Sequence, residues 1–415
     1  MTKPVFYPRF AEPRLIEALA DTPVVLIHGP RQCGKTTLAR MVGEARGYTY
    51  FSFDDEAVLA GAQSDPAGFV ADLPDRTILD EVQRAPRLFT AIKTSVDRRR
   101  TFGRFILTGS ANVLLVPGLA DSLAGRIEIL PLHPLAQSEI AGRAPRFLDH
   151  VFSGGFKVRK YERLGIELAE RIVAGGYPAA LARSTPHRRT AWYRDYIETL
   201  VQRDVRDLAR IAALDAVPRL LALAAGQTAR LLNVSDLASP FQLSRQTIHD
   251  YLTLLERVFL LEPLPPWHTN RLSRLIKTAK LHVADTGVAS ALLGLDAHAL
   301  MQNRPMLGQL LETFVVRELR RQASWHPAAT TFHHFRDRDG VEVDIVLERG
   351  AHEIAGIEVK ASATVTSQDF RGLRKLKGAA GKRFKAGLVL YDGEASTGFG
   401  EGFYAVPIRL LWESQ

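Results

Sequence analysis

Gly29-Pro30-Arg31-Gln32-Cys33-Gly34-Lys35-Thr36 matches the pattern G-x-x-x-x-G-K-T at every fixed position. An apolar run at 24–27 precedes this octapeptide, and a helix-competent stretch that begins at Thr37 follows it. A buried strand, a glycine-rich loop and a helix in this order surround phosphate oxygens with backbone N–H groups at the helix N-terminus. We expect residues 29–37 to bind a nucleoside triphosphate, with Lys35 at the β- and γ-phosphates and the Thr36 hydroxyl on Mg²⁺.

The composition is that of a soluble globular protein. The chain has 415 residues, of which 46% are hydrophobic and 24% are charged, and this length suggests roughly two to four domains. No apolar run approaches the about 20 residues that span a bilayer, and no signal-peptide h-region follows Met1. The single cysteine, Cys33, excludes a disulfide framework and a cysteine-based zinc cluster. We expect a cytoplasmic protein without a membrane segment, in which Cys33 fills space within the loop.

The charge balance favours an anionic partner. The formal net charge is +9, which makes nucleic acid the leading candidate. The 45 acidic residues are, however, interspersed among the 54 basic ones. The compact clusters at 98–100 and 188–189 are more typical of solvated helix or loop faces than of phosphate contacts.

The pattern of apolar segments divides the chain into four regions. Residues 1–140 alternate short apolar strands with helical patterns, which predicts an α/β domain: a parallel sheet with helices on both faces. We expect its strands at 24–28, 49–53, 76–80, 104–109 and 126–130. Residues 141–230 form a connector and a helical region, 231–300 a winged-helix-like region, and 301–415 a second α/β domain. The last domain is predicted to begin with a helix at 309–322 and to contain strands at 331–336, 341–348, 354–361 and 385–391.

Two later segments of the first region carry groups that could hydrolyse the nucleotide. Asp80 and Glu81 follow the apolar pair Ile78-Leu79 at a strand end, so Asp80 can hold the Mg²⁺ shell and Glu81 can polarise the attacking water. Ser110 or Asn112, after the next strand, could sense the γ-phosphate, with capping of the following helix as the alternative.

Arg126 follows Ala124-Gly125 and offers a cation near the predicted phosphate site. It could stabilise charge in the transition state, either within its own chain or in a neighbouring subunit. The alternative is an ordinary salt bridge.

The combination of GPRQCGKTT, ILDE, LTGS and LAGR resembles the prokaryotic AAA-type ATPases related to the archaeal ATPase and origin-recognition groups. Further motifs look like the C-terminal domain of unknown function that accompanies them: the tetrapeptides at 175–178 and 284–287, and the segment 196–206. The resemblance implies ATP binding and hydrolysis. It brings no settled biological role.

Residues 234–262 predict a helix-turn-helix with a wing. A short helix at 234–238 precedes a longer one capped by Ser244, and a strand-like segment at 259–262 follows. The exposed face of the second helix would present types that contact bases or phosphates: Arg245, Gln246, His249 and Thr253. Asp250 on the same face opposes phosphate, so DNA contact and simple packing beside the ATPase core both stay open.

The C-terminal region contains two strands that alternate polar and apolar residues, at 341–347 and 357–360. A hairpin loop centred on Ala351 would place Asp344 opposite Glu358 and Glu342 opposite Lys360. Carboxylates about 4.5–5.5 Å apart at Cβ repel each other, and a shared Mg²⁺ would relieve the repulsion. Lys360 could then activate a water at the metal.

Glu312, from the preceding helix, could complete the metal ligands. The set Glu312, Asp344, Glu358 and Lys360 resembles the PD-(D/E)XK nuclease fold, although no proline precedes Asp344. Gln368, at the start of the next helix, could be a further member of this site. Basic residues on that helix could contact a phosphate backbone: Arg371, Arg374, Lys375 and Lys377. The alternatives are strands that alternate charge for solubility, and a fold that keeps its shape without activity.

Taken together, the sequence predicts an ATPase whose nucleotide state controls a C-terminal domain that acts on nucleic acid, as a Mg²⁺-dependent nuclease. DNA is favoured over RNA. The alternative is an ATP-regulated module that docks protein or DNA through an inactive nuclease-like domain. A protein partner and self-association stay open.

Overall fold

The computed structural model describes residues 6–110, 124–205, 215–241, 243–269 and 278–414. The sequence candidate Asn112 lies outside these ranges. The described residues form two compact units: a smaller one of Phe6–Leu135 with Arg257–Phe259, and a larger one of Ala136–Glu256 with residues from Leu260 onward. Within the described residues, no helix is both long enough and apolar enough to cross a membrane.

The smaller unit is built on a five-stranded parallel sheet with the strand order β2-β3-β4-β1-β5. Its strands are β1 Val24–His28, β2 Thr49–Ser52, β3 Thr77–Asp80, β4 Phe105–Gly109 and β5 Ile127–Pro131. Each of the five predicted strands is present, with its ends within one residue of those expected from the sequence. The predicted fold class is therefore confirmed.

Helices cover both faces of this sheet. They are α1 Glu12–Asp21, α2 Lys35–Glu44, α3 Glu56–Ser64, α4 Pro66–Asp72 and α5 Leu88–Arg98. Alternate residues of β1 enter two separate cores: Leu26 packs in the cluster that contains Phe89, and Ile27 packs in the cluster that contains Leu38. A strand buried on both sides has no solvent face, and this explains why β1 is an uninterrupted apolar run.

The larger unit begins with helices. They are α6 Gln137–Ala141, α7 Phe147–Ser153, α8 Ile166–Ala174, α9 Pro178–Leu181, α10 Pro186–Leu200 and α11 Ala216–Gly226. A small antiparallel sheet of order β7-β9-β8 follows, with β7 Arg230–Leu231, β8 Leu261–Leu264 and β9 Lys280–Val283. Between β7 and β8 lie α12 Val234–Ala238 and α13 Arg245–Arg257. Ile248, Leu252 and Leu255 on α13 are buried, which matches the apolar spacing of the sequence.

The C-terminal part contains a seven-stranded mixed sheet of order β10-β11-β12-β13-β15-β14-β6. Its strands are β6 Arg159–Lys160, β10 Thr330–Arg336, β11 Glu342–Arg349, β12 Glu353–Lys360, β13 Phe384–Tyr391, β14 Ala395–Gly398 and β15 Phe403–Pro407. The helices around it are α14 Thr286–Leu293, α15 Ala297–Gln302, α16 Arg304–Trp325, α17 Arg371–Ala380 and α18 Leu410–Glu413. The helix expected at 309–322 is thus longer than predicted, and the four expected strands lie within one residue of their predicted ends.

Candidate nucleotide site and acidic cluster

The loop at 29–34 joins the end of β1 to the start of α2, and its backbone has little freedom. Gly34 has φ 101°, a left-handed conformation that favours glycine. A Cβ atom at Gly29 would lie 1.9 Å from the carbonyl oxygen of Leu132. Both fixed glycines of the motif are therefore required by the loop itself, before any ligand is considered.

Lys35 lies at the first position of α2 and is 5% exposed. Its Nζ donates hydrogen bonds to the carbonyl oxygens of Gly29, at 3.0 Å, and Pro30, at 2.8 Å. Burial and the nearby Lys35 charge lower the pKa of His28 to about 4. His28 is therefore neutral at physiological pH, and the positive charge of the site belongs to Lys35.

Cys33 is fully buried, and its thiol donates to the carbonyl oxygen of Leu132 at 3.3 Å. Burial raises the pKa of this thiol, which disfavours the reactive thiolate and fits the expected filler role. Arg9 fastens the same loop: its guanidinium donates to the carbonyl oxygens of Cys33, at 2.6 Å, and His133, at 2.7 Å. The sequence carried no signal for Arg9, because the arginine lies 24 residues before the cysteine.

Asp80, the last residue of β3, accepts hydrogen bonds from three hydroxyl groups. Thr36 and Tyr50 each donate to it at 2.8 Å, and Thr108 donates to the oxygen that Thr36 contacts. Burial and Asp80 raise the pKa of Tyr50 to about 12, so this partner stays a neutral donor. Hydroxyl donors orient a carboxylate without neutralising it, and carboxylate and hydroxyl oxygens are ligands that Mg²⁺ accepts. Thr36 and Asp80 therefore fit the expected cation.

The sequence predicts that Thr36 and Asp80 share one site, but it does not predict the contacts of Tyr50 and Thr108 with Asp80. A signal existed, since parallel strands end at one edge of a sheet. β2 pairs with β3 so that Ser52 lies opposite Asp80, and β4 pairs so that Leu107 lies opposite Leu79. Polar residues at the ends of these neighbouring strands are the ones that reach the aspartate.

Glu81 follows Asp80 in a left-handed conformation, with φ 59°. Its carboxylate accepts hydrogen bonds from Ser110 Oγ, at 2.9 Å, and from the amide of Gln83. The Gln83 amide also donates to Ser110 Oγ at 3.1 Å. Ser110 and Gln83 thus hold the carboxylate that is expected to orient water, and Gln83 was not anticipated from the sequence.

The carboxylates of the C-terminal region lie where β11 meets β12. The antiparallel register runs from Ile345 opposite Ile357 to Arg349 opposite Glu353, which confirms the predicted hairpin alignment over these pairs. One step further along, Asp344 Oδ2 accepts the backbone N–H of Val359 at 2.9 Å.

Glu358 and Lys360 form an ion pair at the edge of this cluster. Lys360 Nζ lies 3.0 Å from Glu358 Oε1. Burial and the neighbouring Asp344 raise the pKa of Glu358 to about 8. Its other oxygen, Oε2, is buried without a hydrogen-bond partner, which is consistent with a carboxyl group that resists ionisation.

Lys280, the first residue of β9, inserts its side chain between the remaining carboxylates. Its Nζ lies 2.9 Å from Glu312 Oε1 and 3.2 Å from Asp344 Oδ1, and the side chain is 4% exposed. Within the residues that the structure describes, no group of three or more histidine, cysteine, aspartate or glutamate side chains is arranged to hold a metal. Glu312, Asp344 and Glu358 therefore do not fit the expected Mg²⁺ in this arrangement, because a lysine ammonium lies among them.

An open groove of about 700 Å³ lies beside Glu358 and Lys360. Gln368, Arg371 and Arg374 line it, as the sequence suggested for a phosphate-binding face. Two other basic residues of α17 are instead engaged by acids: Lys375 pairs with Asp337 and Asp339, and Lys377 with Glu401.

The face of α13 that was expected to meet nucleic acid is exposed at Arg245, Gln246 and His249. Gln246 donates to Asp250 Oδ1 at 2.8 Å. The acidic residue on this face is thus held by a neighbouring amide within the same helix.

Family models match three successive parts of the chain. Residues 21–141 match the AAA domain, residues 166–299 a domain of unknown function (DUF8612), and residues 307–411 a second domain of unknown function (DUF4143). The first match spans all five parallel strands, the loop at 29–34 and the helix α2 that begins with Lys35. Residues 21–141, called the AAA domain below, are therefore similar to AAA domains in sequence and contain the phosphate-loop motif on a parallel sheet.

Several known proteins are similar to this chain over most of its length. Uncharacterized proteins of Mycobacterium bovis and Mycobacterium tuberculosis are each 29% identical over 357 residues, which is 86% of this chain and 74% of theirs. A Walker-type ATPase of Pyrococcus abyssi is 18% identical, with a TM-score of 0.45, over 69% of this chain and 96% of that chain. The RuvB Holliday junction branch migration motor of Thermotoga maritima is 18% identical, with a TM-score of 0.29, over 61% and 89%.

In the AAA domain, Arg126 forms a two-pronged pair with Asp97. Its Nε and Nη2 lie 2.5 and 3.1 Å from the two carboxylate oxygens, and Nη1 donates to the carbonyl oxygen of Ala124 at 2.9 Å. The hydrogen bond from Arg126 lowers the pKa of Asp97. This geometry is that of the salt-bridge alternative.

The motifs at 175–178 and 284–287 meet in a buried network of the larger unit. Asp285 accepts the backbone N–H groups of Gly176 and Gly287, each at 2.9 Å, and an Arg321 guanidinium hydrogen bond at 2.9 Å. A Cβ atom at Gly287 would lie 2.5 Å from the Tyr193 ring. These motifs are explained by hydrogen bonding and close packing in the core.

Proposed function

We propose that this protein hydrolyses ATP in a Mg²⁺-dependent reaction, and that its nucleotide state controls a C-terminal domain that binds nucleic acid. One observation carries the first part. Asp80, the last residue of β3, accepts a hydrogen bond from Thr36, the residue beside Lys35. A phosphate-binding lysine, a metal-binding hydroxyl and a metal-binding carboxylate are thus adjacent.

In this proposal Lys35 contacts the β- and γ-phosphates, and Thr36 and Asp80 hold Mg²⁺. When bound, the metal neutralises charge on the phosphates. Glu81, held by Ser110 and Gln83, orients the attacking water and accepts its proton. Tyr50 and Thr108 keep the Asp80 carboxylate in position.

The second part rests on the groove beside Glu358 and on the exposed face of α13. Arg371 and Arg374 line the groove, and cations spaced along a groove attract a phosphate backbone. The short helix α12, the longer helix α13 and the strand β8 that follows support a winged-helix region. In helix-turn-helix proteins the second helix of such a pair, here α13, contacts the major groove. Duplex DNA is therefore the favoured partner, and a docking role without cleavage is favoured over a nuclease because Lys280 lies among the carboxylates.

Hydrolysis is tested with Lys35→Ala and Glu81→Gln, compared with Arg98→Ala at an exposed position of α5. We expect Lys35→Ala to lose ATP binding, measured with a fluorescent ATP analogue. Glu81→Gln should bind the analogue but hydrolyse ATP about 100-fold or more slowly, since a general base contributes about 10²–10⁴-fold. Arg98→Ala should behave as wild type. Undiminished hydrolysis by Lys35→Ala would refute the site.

Nucleic-acid binding is tested by fluorescence anisotropy on a labelled DNA duplex, over a range of salt concentrations, with ATP and with ADP. Arg371→Glu is compared with Lys382→Glu, the same charge change at an exposed position outside the groove lining. We expect Arg371→Glu to weaken binding about tenfold and to reduce the salt slope by about 1–2, with affinities that differ between the two nucleotides. Equal losses in both variants would place the contact elsewhere, and equal affinities in ATP and ADP would remove the nucleotide control.

A further inference from the structure

We propose that the Lys280 ammonium is the resident cation of the acidic cluster, so that the wild-type cluster takes up no divalent metal and loss of this lysine creates a metal site. The proposal concerns the cluster alone and does not depend on ATP hydrolysis or on nucleic-acid binding.

The position of the ammonium is the first reason. Lys280 Nζ contacts Glu312 on α16 at 2.9 Å and Asp344 on β11 at 3.2 Å, and lies 3.9 Å from Glu342. A divalent cation bound by the same oxygens would lie about 2.0–2.6 Å from them. It would therefore compete for the space that the ammonium fills, within a few ångströms of its positive charge.

The charge state of the lysine is the second reason. Burial on its own would lower the pKa of Lys280, but Asp344 and Glu312 hold that pKa above its ordinary value. The amine therefore keeps its proton. A positively charged lysine repels a metal ion placed next to it. The lysine is supplied by β9, in a different sheet from the strands that carry the carboxylates.

Glu312 and Glu358 are each in contact with a lysine of this chain. Burial and Asp344 raise the pKa of Glu312 in spite of the opposing effect of Lys280. Lys360 pairs with Glu358 rather than leaving that acid for a metal. Lys280 and Lys360 thus contact carboxylate oxygens that a metal would need as ligands.

The proposal predicts that removing Lys280 leaves the buried Glu312 and the half-buried Asp344 without their cation. Lys280→Met keeps the length and the apolar stem of the side chain but removes the charge. We expect this variant to bind one more Mn²⁺ per chain than the wild type, counted from the electron paramagnetic resonance of free Mn²⁺ in the absence of nucleotide. Its melting temperature should also rise when Mn²⁺ is added by more than that of the wild type.

Two further variants identify where that extra ion binds. Lys280→Met with Asp344→Asn should lose the additional Mn²⁺, and Lys375→Met, which removes a lysine paired with Asp337 and Asp339 at the surface, should gain none. The phosphate loop is the same in every variant, so any binding there cancels in the comparison. A folded Lys280→Met that gains no Mn²⁺ would overturn the proposal.

If Lys280→Met does not fold, a comparison of Asp344→Asn with the wild type tests the proposal. Asp344→Asn alone should bind as many Mn²⁺ ions as the wild type, because the proposal holds that Asp344 contacts no metal there. One ion fewer in Asp344→Asn would show that the wild-type cluster is a metal site and would overturn the proposal. Lys280→Arg, which keeps the charge, should fold and match the wild type in its Mn²⁺ count.

Discussion

Asp80 in the AAA domain and Asp344 in the C-terminal sheet are both acids near the end of a strand, and both were expected to bind Mg²⁺. Their surroundings differ in one respect that decides the chemistry. Asp80 accepts three hydrogen bonds from hydroxyl groups, whereas Asp344 contacts an ammonium group and a backbone N–H. Hydroxyl donors fix the direction of a carboxylate and leave its charge available. An ammonium group pairs with the carboxylate and neutralises its charge.

The comparison shows that carboxylate spacing alone does not define a metal site. Asp344 and Glu358 share a strand pair as predicted, and a metal would suit their mutual repulsion. The repulsion is relieved instead by the Lys280 ammonium beside Asp344 and by the raised pKa of Glu358, which keeps that carboxyl protonated. A buried ion pair of this kind is costly to break, although it contributes little when compared with an apolar replacement.

The largest expected effect is the difference in ATPase activity between Asp80→Asn and Asp344→Asn. Asp80→Asn keeps one acceptor oxygen, replaces the other by an NH2 donor and removes the charge that holds Mg²⁺, so we expect the kcat for ATP to fall about 100-fold or more, on the scale of losing one electrostatic group of an active site. Asp344→Asn should leave that kcat within about twofold, because this aspartate belongs to the other unit. Steady-state phosphate release measures both. A loss of ATPase activity in Asp344→Asn comparable to that in Asp80→Asn would remove the contrast between the two sites.

A smaller effect concerns the raised pKa of Glu358. Burial and Asp344 raise it from an ordinary value of 4.5 to about 8, so the folded protein keeps a proton that the unfolded chain releases. The stability that this carboxyl contributes is therefore complete below about pH 4.5 and is lost as the pH rises through 8. We expect the melting temperature of the wild type to fall relative to Glu358→Gln between pH 5 and pH 8.5, as measured by differential scanning fluorimetry.

Glu401→Gln is the matched control for that measurement. Glu401 is exposed and paired with Lys377, and this hydrogen-bonded pairing lowers its pKa. Its stabilising effect is present above its ordinary pKa and is lost only in acid, so Glu401→Gln should run parallel to the wild type from pH 5 to pH 8.5. Parallel curves for Glu358→Gln and the wild type would show that Glu358 is ionised throughout and would contradict the buried, protonated carboxyl.

The same two sites show what a sequence can predict. The sequence predicts β1 to β5 because each is a short apolar run flanked by polar loops, and the hairpin register observed from Ile345 opposite Ile357 to Arg349 opposite Glu353 follows from the length of one loop. Such features are local. Lys280 reaches Asp344 from 64 residues away and from a different sheet, and no periodicity or motif connects the two positions. Tyr50 lies between these cases: its strand was predicted, but its contact with Asp80 required the order of strands in the sheet.

The smallest expected effect concerns Arg126, which the sequence left open between a transition-state cation and a salt bridge. Its side chain is 29% exposed and its partner Asp97 is 44% exposed, and exposed pairs of this kind contribute little to stability because water screens them. We expect Arg126→Ala to keep kcat within about twofold and to shift the melting temperature by no more than Arg99→Ala, which removes a still more exposed pair with Asp75.

ATP hydrolysis by Arg126→Ala is best measured over a range of protein concentrations, because an arginine that acted in a neighbouring subunit would matter only in an assembled state. A loss of about 100-fold that appears only at high protein concentration would restore the catalytic role and would mean that the pair with Asp97 opens on assembly. A concentration-independent, near wild-type kcat leaves Lys35, Asp80 and Glu81 as the charged groups on which hydrolysis depends.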